Sequence, residues 1–398
     1  MLFKRIRGVI RALSTMNSAD VGKILAATST AKYFIEYGGF LSNHVSHGVI
    51  ALHRLEASPD HIQRFVDDLL PKLEDTNSDK PDSRSFEELR GQRVGYYSLL
   101  QHYDHLLLDI GGDVEKLIRE EYPKVNAGLA GSALHGTIHL GYAYAAGYKQ
   151  GILEGLAYTY HSYRPVVSKR SMEELSHFGN GNTDILSVLK NVRKKHDLFY
   201  AMQMGSEKEE YSSLGLGKFQ RNVCYLLKEK GEVLYDHLLS LKLDATVRNA
   251  DGELDPVQLA RRLVYWSTMI YILAEKKNDF FLLHGVTCAW ALHTIIPILR
   301  KLDGIVGLRH YVAVLIAVYI AQGAPALTSE LKTCDVIDVK GEWDNIVSQT
   351  LDTCTDEHCY KLVQVCREMA QDAQRYGEDV NVYMQAARNV IEHGFFYE

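Results

Sequence analysis

Ser132–Tyr144, SALHGTIHLGYAY, sets two histidines four residues apart in a run otherwise made of small and apolar residues. Read as a helix, the stretch puts His135 and His139 on one face, one turn apart, because positions i and i+4 stack along a helix. Two imidazoles so placed can grip one metal ion, as the histidines of HExxH zinc helices do. The glutamate of that motif is missing, since Gly136 and Thr137 follow the first histidine. Two core histidines bonded to neighbouring backbone would give the same pattern. The weight therefore falls on whether the rest of the chain repeats it.

It does, three times. Asn43–Ile50 (NHVSHGVI) carries His44 and His47 at i, i+3. Asp279–Leu292 (DFFLLHGVTCAWAL) holds His284 in an apolar segment, with Cys288 one turn on. Asp356–Cys366 (DEHCYKLVQVC) puts His358 and Lys361 on one face. Four apolar helices each turning an imidazole inward are hard to satisfy with backbone hydrogen bonds alone. A metal satisfies one nitrogen of each ring, and neutral imidazole is the commonest metal ligand. Ligand type does not choose among zinc, iron, copper and nickel. No aspartate or glutamate reads as equally apolar, so the carboxylate of the usual iron triad is missing. Asp356 and Glu357 read as helix-start residues, and Cys288 as a packed thiol.

Composition bounds the class. A chain of 398 residues with 46% hydrophobic and 24% charged residues is ordinary for a globular protein. A net charge of -6 gives no reason to expect a nucleic-acid partner. Tyrosines (24) outnumber phenylalanines (12), which suits a roomy, partly polar cavity. The six cysteines form no CxxC pair and read as reduced thiols of a cytoplasmic protein. Residues 1–18 carry Lys4, Arg5, Arg7 and Arg11 with apolar residues at helical spacing, the composition of a mitochondrial targeting helix or of a basic tail. No uncharged apolar stretch reaches membrane-spanning length; Tyr311–Ala321 reads as a buried helix.

Helical periodicity dominates residues 19–398. It predicts helices over Val21–Glu36, Phe40–Leu55 and Ser58–Leu69, then through Tyr96–Ile110, Val114–Glu121 and Ala127–Tyr160. Further segments follow at 184–203, 216–239, 256–274, 279–301, 305–322, 342–354, 356–375 and 379–392. Asp75–Ser85 reads as a linker and Ser171–Gly181 as a surface loop. Only Cys334–Val339 (CDVIDV) alternates like a strand. No repeat period marks a solenoid. The expectation is one large all-α domain with helices packed around a central metal and substrate cavity. The sequence has no GxGxxG fingerprint in a βαβ setting, no phosphate-binding GxxxxGK[ST], and no GxSxG elbow.

EYGGFLSNHVSHGVIALHRLEASPDHIQRFVDD (36–68) resembles the opening block of the questin oxidase-like family. LHGTIHLGYAY with EGLAYTYH, DFFLLHGVTCAWAL and DEHCYKLV resemble the later blocks, in family order. The resemblance implies a mostly helical oxidoreductase acting with O2 on anthraquinone-like aromatic polyketides, by ring opening or Baeyer–Villiger-type oxidation. It implies a non-haem iron held by several histidines and, in part of the family, a carboxylated lysine; on ligand type alone zinc is the alternative metal. NADPH is implied as co-substrate for some members. Lys361 matches the lysine of the fourth block, and its carbamate would supply the missing anion. His47, His139 and His284 are the first ligand choices, with His135, His44 and His358 as the pool for a fourth; Lys361 and His358 are the candidates for a catalytic part. The chain departs from the family at Gln364, where a basic residue is usual. Two other readings of the same histidines are a zinc or di-metal hydrolase and a non-catalytic helical binding protein.

Overall fold

How tightly the two-histidine segment packs is set by glycine. A Cβ on Gly155 would come within 2.5 Å of the Leu140 backbone nitrogen, and one on Gly141 within 2.5 Å of Ala291 Cα. Without those side chains, three helices meet backbone to backbone, which fixes where the histidines between them point.

The computed structural model describes residues 18–76, 82–328 and 338–395. It is 70% helical, with 19 helices and a single two-stranded sheet among the described residues. Six helices frame the site: α1 (Val45–Arg54), α2 (His135–Ala145), α3 (Lys149–His161), α4 (Phe280–Ile295), α5 (Lys301–Ala321) and α6 (Glu357–Gln371). Helix α2 packs against α1, α3 and α4, while α6 packs against α1 and α4. Thus α1, α2, α4 and α6 close into a ring, backed by α3 on one side and α5 on another. Apolar side chains from all six join one continuous core. By length and apolarity, Phe280–Ile298 and Lys301–Ala321 could each cross a membrane, yet 72% and 83% of them are buried by neighbouring helices.

Several boundaries differ from the periodicity. The first helix covers only Ser18–Ala27 of the expected Val21–Glu36. Phe40–Leu55 is not one helix: β1 (Glu36–Tyr37) and β2 (Leu41–Ser42) pair across Gly38-Gly39, and α1 starts after His44. Both glycines have positive φ, the conformation a tight hairpin needs. The segment 184–203 breaks at Lys194-Lys195, and 216–239 breaks at Lys230. Ser171–Gly181 contains a short helix, Met172–Ser176, closed by a reciprocal cap between Ser171 and Glu174. Of the strand-like CDVIDV, Cys334–Ile337 lies outside the described residues, and Val339 opens the helix Val339–Thr353. Residues 1–17 of the basic segment also lie outside them. Cys354 and Cys359, expected as thiols, are joined across the turn between two helices, whereas Cys224, Cys288 and Cys366 are free and buried.

Candidate metal centre

Each helix of the ring brings a histidine to the centre from its N-terminal end. His44 immediately precedes α1, His135 is the first residue of α2, His284 lies in the second turn of α4, and His358 is second in α6. One ligand atom from each lies within 4.8 Å of the other three, and all four residues are buried. That is far inside the separation of about 10 Å at which no ion could bridge them. Helix N-termini carry partial positive charge, which disfavours an imidazolium and favours an anion there. Burial, chiefly, holds His44, His135 and His284 well below the ordinary histidine range, so these rings are neutral.

Hydrogen bonds then decide which nitrogen carries the proton. His135 Nδ1 lies 2.6 Å from the Ser132 carbonyl and His284 Nδ1 lies 2.7 Å from the Phe280 carbonyl. A carbonyl only accepts, so both rings are protonated at Nδ1. His358 Nδ1 meets Asp356 Oδ1 at 2.8 Å, and His44 Nδ1 stands 3.1 Å from Glu357 Oε1, though off the N–H line. The remaining ring nitrogens face the centre. His44 Nε2 and His135 Nε2 are 2.6 Å apart, while His284 Nε2 and His358 Nε2 are buried without a partner. With His135 protonated at Nδ1, the short His44–His135 contact takes either a proton on His44 Nε2 or a cation between the rings, and outer nitrogens tied to oxygen are the usual support of metal-binding histidines. The residues present therefore fit a metal ion.

Lys361 completes this face of α6, one turn beyond His358. It is 0% exposed, and its Nζ has no hydrogen-bond partner. Burial lowers its pKa to about 8, against the pull of Glu357 and Asp356. His47 and His139 stand apart from the group of four. They lie one turn deeper, His47 Nε2 being 3.0 Å from His139 Nδ1. His139 Nε2 is 3.0 Å from Glu154 Oε2.

Glu154 corrects the reading that no carboxylate is buried among the helices: it is 1% exposed. Burial would raise its carboxyl; the hydrogen bonds from His139 and Thr30 hold it below the usual range. Lys149 and Gln150, just before it, make that helix start look solvated, which hid it. Glu36 was missed for a similar reason, at the end of a periodic run. It is buried and accepts from Ser132 Oγ, Tyr158 Oη and Arg93. Those bonds clamp the turn before α2, where Ser132, Ala133 and Leu134 all take positive φ (45°, 52° and 74°). Consecutive left-handed residues with side chains are strained. Here they aim the Ser132 carbonyl at His135.

A cleft of about 540 Å³ opens onto His44 and His135. Phe40, Phe219, Phe280 and Phe281 line it, with Lys218 and Lys276 in its wall. The Phe219 and Phe281 rings stack at 3.7 Å, and Phe280 stands edge-on to His284 and His358.

Fold and site together define an all-helical protein whose buried imidazole group could hold a metal ion beside an aromatic-lined cleft. The family model described as Questin oxidase-like matches residues 41–366, and the chain belongs to that family. Membership points to an oxidoreductase acting on aromatic substrates. None of the curated proteins matches the chain.

Proposed function

We propose that this protein is an iron-dependent oxygenase that oxidises anthraquinone-like aromatic polyketides, opening a ring by a Baeyer–Villiger-type insertion. The observation that carries the proposal is the group of four buried histidines, each with a ring nitrogen within 4.8 Å of the other three. His44, His135, His284 and His358 would hold the iron, and Lys361, as its carbamate, would add an anionic oxygen. Iron held there would supply the one-electron steps through which dioxygen can react with an electron-rich ring. The chain's own work is placement. The stacked Phe219 and Phe281 offer a flat wall for a planar substrate, and the cleft mouth at His44 and His135 brings that substrate beside the centre. Lys218 and Lys276 can attract a phenolate or quinone oxygen. Burial of the whole group excludes bulk water. NADPH enters from the family likeness as the source of the two electrons a monooxygenation needs.

The test is reconstitution of the full chain with Fe(II) without oxygen, metal analysis, then oxygen uptake with a hydroxyanthraquinone, with and without NADPH. The expected result is one iron per chain and oxygen uptake that requires both iron and the aromatic compound. Less than about a tenth of an equivalent of any transition metal, or turnover unaffected by removing oxygen, would overturn the proposal.

A further inference from the structure

Away from the histidines, a hollow of about 280 Å³ gathers arginines. Its walls come from the first turns of the helix Pro256–Leu273 and from the turn that follows α6. Arg261, Arg262 and Arg375 line it against a single carboxylate, Glu378. Guanidinium stays charged throughout the accessible pH range, so the wall carries an excess of two positive charges. Gln258, in the first turn of that 18-residue helix, lines the same hollow, and the positive end of the helix dipole adds to the field there. No residue lines both this hollow and the cleft at His44 and His135.

Each guanidinium keeps donors free. Arg261 is 5% exposed, and its Nε and Nη2 are taken by Glu378 and the Met369 carbonyl. Its Nη1 meets the Met369 sulfur at 3.8 Å, and a thioether is a weak acceptor. Arg262 gives Nη2 to Thr246 Oγ1 and the Tyr376 carbonyl, and its Nε and Nη1 have no partner among the described residues. Arg375 has no carboxylate partner among them either; with Arg261 it stands over the Tyr376 ring, the two guanidiniums at 5.6 and 4.5 Å from its centre. Like charges sharing one ring, and a buried guanidinium short of an oxygen, are both satisfied by an oxyanion. Two excess charges and donors from three side chains suit a tetrahedral dianion better than a lone carboxylate, and arginine forks match phosphate oxygens.

We propose that this hollow binds a phosphate group, free or carried as the monoester of a small organic molecule, between Arg261, Arg262 and Arg375. Arg261 also holds the carbonyl of Met369 near the end of α6, so an occupied hollow braces the helix that carries His358 and Lys361 at its other end. The site stands whether or not the centre takes up iron.

The test is calorimetric titration of the full chain, freed of metal so that phosphate cannot bind iron, in chloride buffer of matched ionic strength. The probes are inorganic phosphate and glycerol 3-phosphate. The expected result is one saturable site per chain, weakened at least about tenfold in Arg262→Gln and in Arg375→Gln, as loss of a charge-assisted hydrogen bond requires. Lys195→Gln, in a separate cationic hollow of about 530 Å³, should bind as the wild type does. Tighter binding of glycerol 3-phosphate assigns the site to a monoester, and tighter binding of inorganic phosphate assigns it to the free ion. No saturation by about 10 mM of either probe overturns the proposal. So do arginine variants that bind as the wild type does, or a loss confined to Lys195→Gln. Phenylglyoxal labelling of the wild type needs no variant to fold: saturating phosphate should protect Arg262 and Arg375, and labelling unchanged at both would also overturn it.

Discussion

Lys361→Met should make the metal-free protein more stable and the metal-loaded protein less so. The lysine is fully buried without a partner, and burial lowers its pKa from 10.5 to about 8. For a base with a lowered folded-state pKa, the unfolded chain holds the proton more tightly. The penalty is therefore full below pH 8 and fades as pH rises towards 10.5. At ~1.4 kcal/mol per pKa unit, the cost at pH 7 is on the order of 3 kcal/mol. Methionine has a similar unbranched shape and no charge, so most of that cost should be removed. The same change takes away the group proposed to complete the metal set. Ligand at a thousandfold excess over its Kd stabilises the native state by about 4 kcal/mol, and this gain should shrink in the variant. Urea denaturation at pH 7, with and without Fe(II) under nitrogen, reads both terms. A repeat at pH 10 should bring the two metal-free proteins closer together. A metal-free Lys361→Met less stable than the wild type, with an undiminished response to iron, would refute this account of the lysine.

Gly155→Ala pushes a methyl group into the backbone of Leu140, which cannot move aside, and should cost about 1–3 kcal/mol by urea denaturation. Ala133→Gly relieves a left-handed residue and should stabilise by up to about 1 kcal/mol, while Ala133→Val should destabilise; thermal midpoints decide the order. His293 and His310 are held by burial at pKa values of about 4, well below the 6.5 of an unfolded histidine. The unfolded state takes up their protons first as pH falls, so each should remove about 2 kcal/mol of stability between pH 7 and 5. Replacing both with glutamine should flatten that part of the stability–pH curve.

Much of this was legible from residue order. Period and punctuation give an all-helical chain, and the histidines that meet at the centre are those that stand out in apolar segments. Their ranking was not legible. His44 and His47, like His135 and His139, share a helical face, so either member could serve until the helix start is known. Here α1 begins after His44 and α2 begins at His135, which puts the first of each pair at the convergent ends. The β1–β2 hairpin that sets that start is too short to show alternation. Glu154 was hidden because its partner, His139, comes from the neighbouring helix, and pairing across helices leaves no local pattern.

Residues 44, 135, 284 and 358 must all be present before the four rings can meet. A chain still emerging from the ribosome can close α1 onto α2 and α4 but lacks the fourth ring and the lysine. If the centre takes up a metal as proposed, capture by the full ligand set comes after synthesis of residue 358. The cleft at His44 and His135 is an entrance to that centre. Under the proposed function, occupancy in a cell would then depend on how long newly made protein waits for its metal.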